Sequence, residues 1–285
     1  VTARLVRLVL FEWQKLIARR LAIVALVVVA LAAAISPLAG HVVDVASALS
    51  AGKAAPTTDF QNGWTTLASG VRSGLFLVTV TLLVFAGSSI SEEAQQGTLK
   101  ALFLRPLRRT ELLLAKWIAL SGFAVLLLLV MTGSAALAGF AQHQSFGPVV
   151  DPAYPDAPTT KTVAYMLTYT VPALLLVIPG LVAVVSFALL FSCAIDHPGY
   201  SVGASIASFL LLGALAALST TAARILFPHY VGLSLEQLSD IAEQFSSASK
   251  EFRQTALTTG VVPAVSSVVF FGAAAFLLGS RDVGD

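Results

Sequence analysis

The chain has 285 residues, 57% of them hydrophobic and only 11% charged, and its net charge is +2. A soluble domain dresses its surface with roughly a quarter charged residues, so this composition excludes an ordinary water-soluble fold, and so small a net charge gives no overall field for nucleic acid. The single cysteine, Cys193, excludes a disulfide framework and any multi-cysteine metal site.

Residues 1–20 are basic and amphipathic. Drawn as a helix, they gather Arg4, Arg7, Glu12, Lys15 and Arg19 on one side and Leu5, Val9, Trp13, Leu16 and Ile17 on the other, with Arg20 at the end. Such a helix suits the headgroup layer of a membrane, which makes Arg4, Arg7, Trp13, Lys15, Arg19 and Arg20 candidate interface residues. The apolar run that follows carries no small-residue cleavage site, so the sequence predicts no cleaved signal peptide.

A crossing needs about 20 mostly apolar residues for roughly 30 Å of hydrocarbon. The segments 21–38, 73–90, 117–140, 163–193, 200–221 and 260–279 meet that test. The fourth is overlong and contains Pro172 and Pro179, which predicts a kink, a tilt or a start along the membrane surface. The connections 39–72 and 141–162 are rich in Gly, Pro, Thr and Asp and are too short for a substrate-capturing domain. In 222–259 the residues Leu235, Leu238, Ile241, Ala242, Phe245 and Phe252 recur at helical spacing. Ser234 followed by Gln237 fits a capping box there. That stripe needs a cover, either the outer leaflet or the outer ends of neighbouring spans.

Basic residues in short flanking loops are held on the cytoplasmic side. With the N-terminus inside, the cytoplasmic segments hold most of the Lys and Arg, from Arg4 through Lys100, Arg105, Arg108, Arg109 and Lys116 to Arg281. The balance is then about +4 inside and about −2 outside. The sequence therefore predicts a multi-pass protein of the cytoplasmic (inner) membrane with both termini cytoplasmic. Its fold class is all-α integral membrane, with six transmembrane helices, an N-terminal interfacial helix, a short cytoplasmic helix in 91–116 and an extracytoplasmic amphipathic helix before the last span.

The loop 91–116 is the strongly charged stretch of the chain. It reads as a short helix that leaves the membrane after Glu92 and Glu93 and turns near Gly97. It then presents Thr98, Leu99, Leu102 and Phe103 before Arg105 and Pro106 end it. Apolar side chains on a short element flanked by charges are what a partner protein can grip. A purely topogenic loop needs only its arginines.

At this loop the chain resembles the permease family of ABC-2 type transporters. That family shows a glutamate, three residues, Gly-Thr-Leu, a Leu-rich stretch to Arg-Pro, an arginine, and a lysine opening the next span. Glu93, Gly97, Thr98, Leu99, Leu102, Arg105, Pro106, Arg109 and Lys116 match in order and spacing. The resemblance extends to the six spans, the cytoplasmic termini and both extra helices, and so implies a single transmembrane permease domain over 1–285. It further implies that 92–106 is a coupling element docked in a groove of the ATPase subunit, and that two permease copies work with two ATPase subunits. Spans one, two and five would carry the alternating-access motion. No Gly-x-x-x-x-Gly-Lys-Ser/Thr loop is present, so ATP and Mg²⁺ belong to the partner chain. The glutamate-alanine-alanine loop of ABC importers fits worse, because no Ile-x-Leu-Pro follows.

Two other classes fit poorly. Membrane-embedded prenyl-protein proteases carry paired glutamates with an arginine just beyond them, but Gly97 stands in its place, and His41, His143, His197 and His229 lie in loops or at span ends. Gly199-Tyr200-Ser201-Val202-Gly203 matches a nucleophile pattern, yet no strand precedes it and no in-membrane histidine partners Ser201. It reads instead as small residues that let helices approach closely. An ion-coupled secondary transporter lacks the mid-span charge such machines use. That absence points to apolar or amphipathic cargo for an exporter.

Overall fold

The structure is a computed structural model that describes residues 2–50, 62–97, 109–150, 160–243 and 248–280. In chain order its helices are α1 (Thr2–Ile17), α2 (Arg20–Ser50), α3 (Gly63–Ser88), α4 (Ser91–Gln95), α5 (Arg109–His143), α6 (Val163–Ala194), α7 (Pro198–Leu218), α8 (Thr220–Ala223), α9 (Phe227–Glu243) and α10 (Ala248–Ser280). Between α5 and α6, β1 (Val149–Val150) and β2 (Thr160–Lys161) form a two-residue antiparallel ladder that pairs Val149 with Lys161.

Helices α2, α3, α5, α6, α7 and α10 are long and apolar enough to cross a bilayer. This bears out the all-α membrane fold. Each is hydrophobic all round, as a helix must be when one face meets its neighbours and the other meets lipid.

The core forms around α6, which packs against α3, α7, α9 and α10. Val177, Leu181, Val184, Val185 and Leu189 of α6 are fully buried. The helix runs unbroken through Pro172 and Pro179. Close approach elsewhere uses small residues, the packing device of membrane helices. A Cβ on Gly70 of α3 would lie 2.5 Å from the Ala33 carbonyl oxygen of α2, so only glycine fits that crossing.

The helices outrun the apolar segments. α3 begins at Gly63, ahead of the expected 73, because Asn62 caps it: its side chain accepts from the amides of Trp64 and Thr65, and Thr65 Oγ1 accepts from the Asn62 amide. A hydropathy window sees the hydrocarbon-length part of a helix and not its capped extension.

The amphipathic helix expected in 222–259 is α9, but it starts at Phe227, so Ser234 is interior and caps nothing. The Ser234 hydroxyl donates to the Ala173 carbonyl of α6 at 3.1 Å, and the Gln237 side chain pairs with Thr255 of α10. The two polar residues that resemble a capping box are thus satisfied across helices. Leu235, Leu238, Ile241 and Ala242 are buried as the stripe predicts, and their cover is the neighbouring spans α3, α6 and α10. Phe227 packs against both Phe187 of α6 and Phe270 of α10, with each ring centroid at 5.3 Å. Phe252 belongs to α10, and Phe245 lies outside the described residues.

α2 and α7 behave differently. Leu21, Ile23, Val24, Val27 and Leu31 of α2, and Leu210, Leu211 and Leu218 of α7, are exposed. These two spans bury little within the chain and present broad apolar faces outward.

Candidate functional site

The break between α3 and α4 sets the geometry of the site. α3 ends at Ser88, and Ile90 and Ser91 begin a second, short helix. Both of their amides donate to Ser192 Oγ at the end of α6, at 2.8 and 3.1 Å. Ser91 Oγ donates back to the Gly87 carbonyl at 3.1 Å, and Ser201 Oγ of α7 donates to the same carbonyl at 2.6 Å. Hydroxyls from two other spans therefore satisfy the backbone groups that a helix break exposes. Ser201 is buried and serves this contact, as the close-packing reading has it, whereas Gly203 of the same motif has open space around a would-be Cβ.

α4 is five residues long, and two residues past its end stands Gly97, whose φ of +68° lies in the left-handed region. Its amide donates to the Ala94 carbonyl at 3.1 Å. A left-handed glycine is the common way to stop a helix and turn the chain, and this is the turn expected there. Nothing stands near a would-be Cβ, so the backbone alone selects glycine.

Glu92 and Glu93 occupy the first turn of α4, where acids are favoured. Glu93 is 4% exposed and Lys116 only 2%. Lys116 Nζ lies 2.8 Å from Glu93 Oε1 and 3.0 Å from Glu12 Oε2, and Lys15 Nζ reaches Glu93 Oε1 at 2.5 Å. Arg19 and Glu92 pair at 2.8 Å, nearer the surface. Three carboxylates thus face three cations, and the cluster ties α1, α4 and α5 together. A cavity of about 20 Å³ beside Glu12, Lys15, Arg19 and Lys116 has room for about one water.

Charges buried this far are tolerated because they are mutually paired; removing one partner strands the others. The helical period sets the pairing. Leu112, Leu113, Lys116 and Leu120 share the buried face of α5, so Lys116 has to point into the bundle. α1 lies against the same helix, with Trp13 over Gly122: a Cβ there would come within 2.9 Å of the indole. Arg109 at the start of α5 donates to the carbonyls of Leu278 and Gly279, the end of α10, so these helix ends share one side of the bundle.

The sequence-predicted residues divide three ways. Glu92, Glu93, Lys15 and Arg19 come together in the cluster. Arg4, Arg7 and Arg20 stay exposed along α1 and at the head of α2, and Trp13 is half-buried. Thr98, Leu99, Leu102, Phe103, Arg105 and Pro106 lie outside the described residues.

On α1 the structure reverses part of the expected division. Glu12, assigned to the polar side, turns inward to Lys116, and Ile17, assigned to the apolar stripe, is exposed together with Val6, Leu10 and Phe11. The reason is tertiary: a buried cation on α5 outweighs the local periodicity. Sequence reasoning missed Glu12 as a partner of Lys116, and it missed Ser192 and Ser201. The one signal was Glu12 itself, an acid within a basic helix.

The arrangement at this cluster is one of ion pairs and helix-end hydrogen bonds. It fixes the start of a loop to two other helices. Residues 8–195, about two thirds of the chain, match the family described as ABC-2 family transporter protein. Among curated proteins, none matches the chain. With that match and six long apolar helices, the chain belongs to the ABC-2 transporter family and is a permease component of an ABC transporter.

Proposed function

We propose that this permease is half of an exporter and that ATP hydrolysis on separate ATPase subunits drives it through residues 92–106. In this reading two permease copies assemble with two ATPase subunits, which hold ATP and Mg²⁺. The loop and both termini face the cytoplasm, the protein sits in the cell membrane, and the cargo is apolar or amphipathic.

The observation that carries the reading is the buried cluster of Glu12, Glu93, Lys15 and Lys116. A loop that served topology alone would need no buried anchor, whereas a loop that receives a mechanical load needs its base fixed to the spans it moves. Ser192 and Ser201 extend that anchorage to α6 and α7. The family normally works with an ABC ATPase, which is consistent with the same reading.

Affinity purification of the tagged chain from its native membrane tests the assembly. The expected product is a complex of two permeases and two ATP-binding subunits, and a transport-active complex without any nucleotide-binding subunit contradicts it. In the purified complex, Leu99→Arg is expected to leave the permease inserted while abolishing substrate-stimulated ATP hydrolysis. Unchanged stimulation contradicts the docking role.

A further inference from the structure

Beside the charged cluster, a groove of about 280 Å³ opens between the first turn of α2, the last turns of α3 and the first turn of α7. Its lining divides by chemistry. Leu21, Val84, Phe85 and Val202 form the apolar part, and Arg19 with Glu92 forms the polar end. Leu21 and its neighbours Ile23 and Val24 are more than half exposed, so the groove opens sideways along the apolar surface of α2.

The two carboxylates of α4 differ in how they are held. Glu93 is locked among Lys15 and Lys116, and its side chain is 5% exposed. The Arg19–Glu92 pair is 34% and 29% exposed, and a pair so open to water is weak. It can exchange for another anion at little cost. A guanidinium grips a phosphate through two parallel hydrogen bonds.

An apolar trough that ends at an arginine complements an amphiphile with an anionic head. The geometry points to a binding site for an anionic phospholipid of the adjoining leaflet, with its acyl chain along Leu21, Val84 and Val202 and its phosphate on Arg19 in place of Glu92. Glu92 stands in the first turn of α4. A bound lipid therefore releases one of the two ion-paired carboxylates at the base of residues 92–106. Lipid binding itself is independent of the function proposed above, and only its consequence for coupling rests on that reading.

Native mass spectrometry of the full chain, released from nanodiscs with equal phosphatidylglycerol and phosphatidylcholine, tests the site. The wild type is expected to retain phosphatidylglycerol at least about fivefold over phosphatidylcholine, a ratio that one charge-assisted contact supports. Arg19→Gln brings the ratio close to one, whereas Arg7→Gln, outside the groove, leaves it unchanged. Glu92→Gln raises retention by freeing Arg19, and this gain disappears in the Arg19→Gln background. Val202→Trp fills the trough and lowers retention, so the test survives if Arg19→Gln fails to fold. Equal retention of the two lipids by the wild type overturns the site. So does a preference that persists in both Arg19→Gln and Val202→Trp, or a lipid-free dimer that Val202→Trp converts to monomer. The Leu99→Arg measurement separates a failure here from a failure of the docking role.

Discussion

Lys116 shows how one side chain organises this end of the protein. It lies on the buried face of a helix that is otherwise leucine, alanine and phenylalanine there, and it is held by Glu93 and Glu12 from two other helices. Desolvating three charges is costly, and the pairing offsets that cost only while every partner is present. Lys116→Met alone is therefore expected to lower unfolding free energy by about 3 to 5 kcal/mol, because the buried Glu12 loses its cation and Glu93 is left with Lys15. Adding Glu93→Gln to the same chain should recover part of the loss, and a double-mutant cycle by thermal unfolding in detergent reads the coupling. Purely additive effects contradict a shared buried network. Leu112, Leu113, Lys116 and Leu120 announce that face through their spacing. The partners of Lys116 do not, since residues 12, 93 and 116 meet only through tertiary packing. A lysine opening a span reads from sequence as a topogenic charge, and only its burial shows it to be an anchor.

At the scale of elements, the crossings were legible because apolar length is a property of contiguous sequence. The turn after α4 was legible because Gly97 directly follows the polar run Glu92-Glu93-Ala94-Gln95-Gln96. The helix ends were not, because capping by Asn62 extends α3 beyond its apolar part. α9 illustrates the opposite limit: Ser234 and Gln237 have capping-box spacing, yet they serve contacts to α6 and α10. α7 offers a direct check on the fifth crossing. Leu210 sits in its middle and is 54% exposed, so an arginine there faces hydrocarbon. Leu210→Arg is expected to cost about 2.5 to 3.5 kcal/mol of insertion free energy, readable with a glycosylation reporter. Wild-type insertion means that α7 does not cross where its apolar length suggests.

For the whole molecule, the packing divides labour. α3, α5, α6, α9 and α10 make a continuous core, while α2 and α7 expose most of their apolar surface. The charged cluster and the helix break lie where that core meets α4, so a force on α4 reaches α1, α5, α6 and α7 through named contacts. In the function proposed above, an ATPase grips residues 92–106. A photo-activatable amino acid at Leu102, cross-linked in intact cells and followed by mass spectrometry of the adduct, measures that most directly. A cross-link to a nucleotide-binding ABC subunit is expected, and it disappears when the label is moved to Leu210. A loop that cross-links to no nucleotide-binding protein, or that impermeant reagents reach from outside the cell, contradicts it.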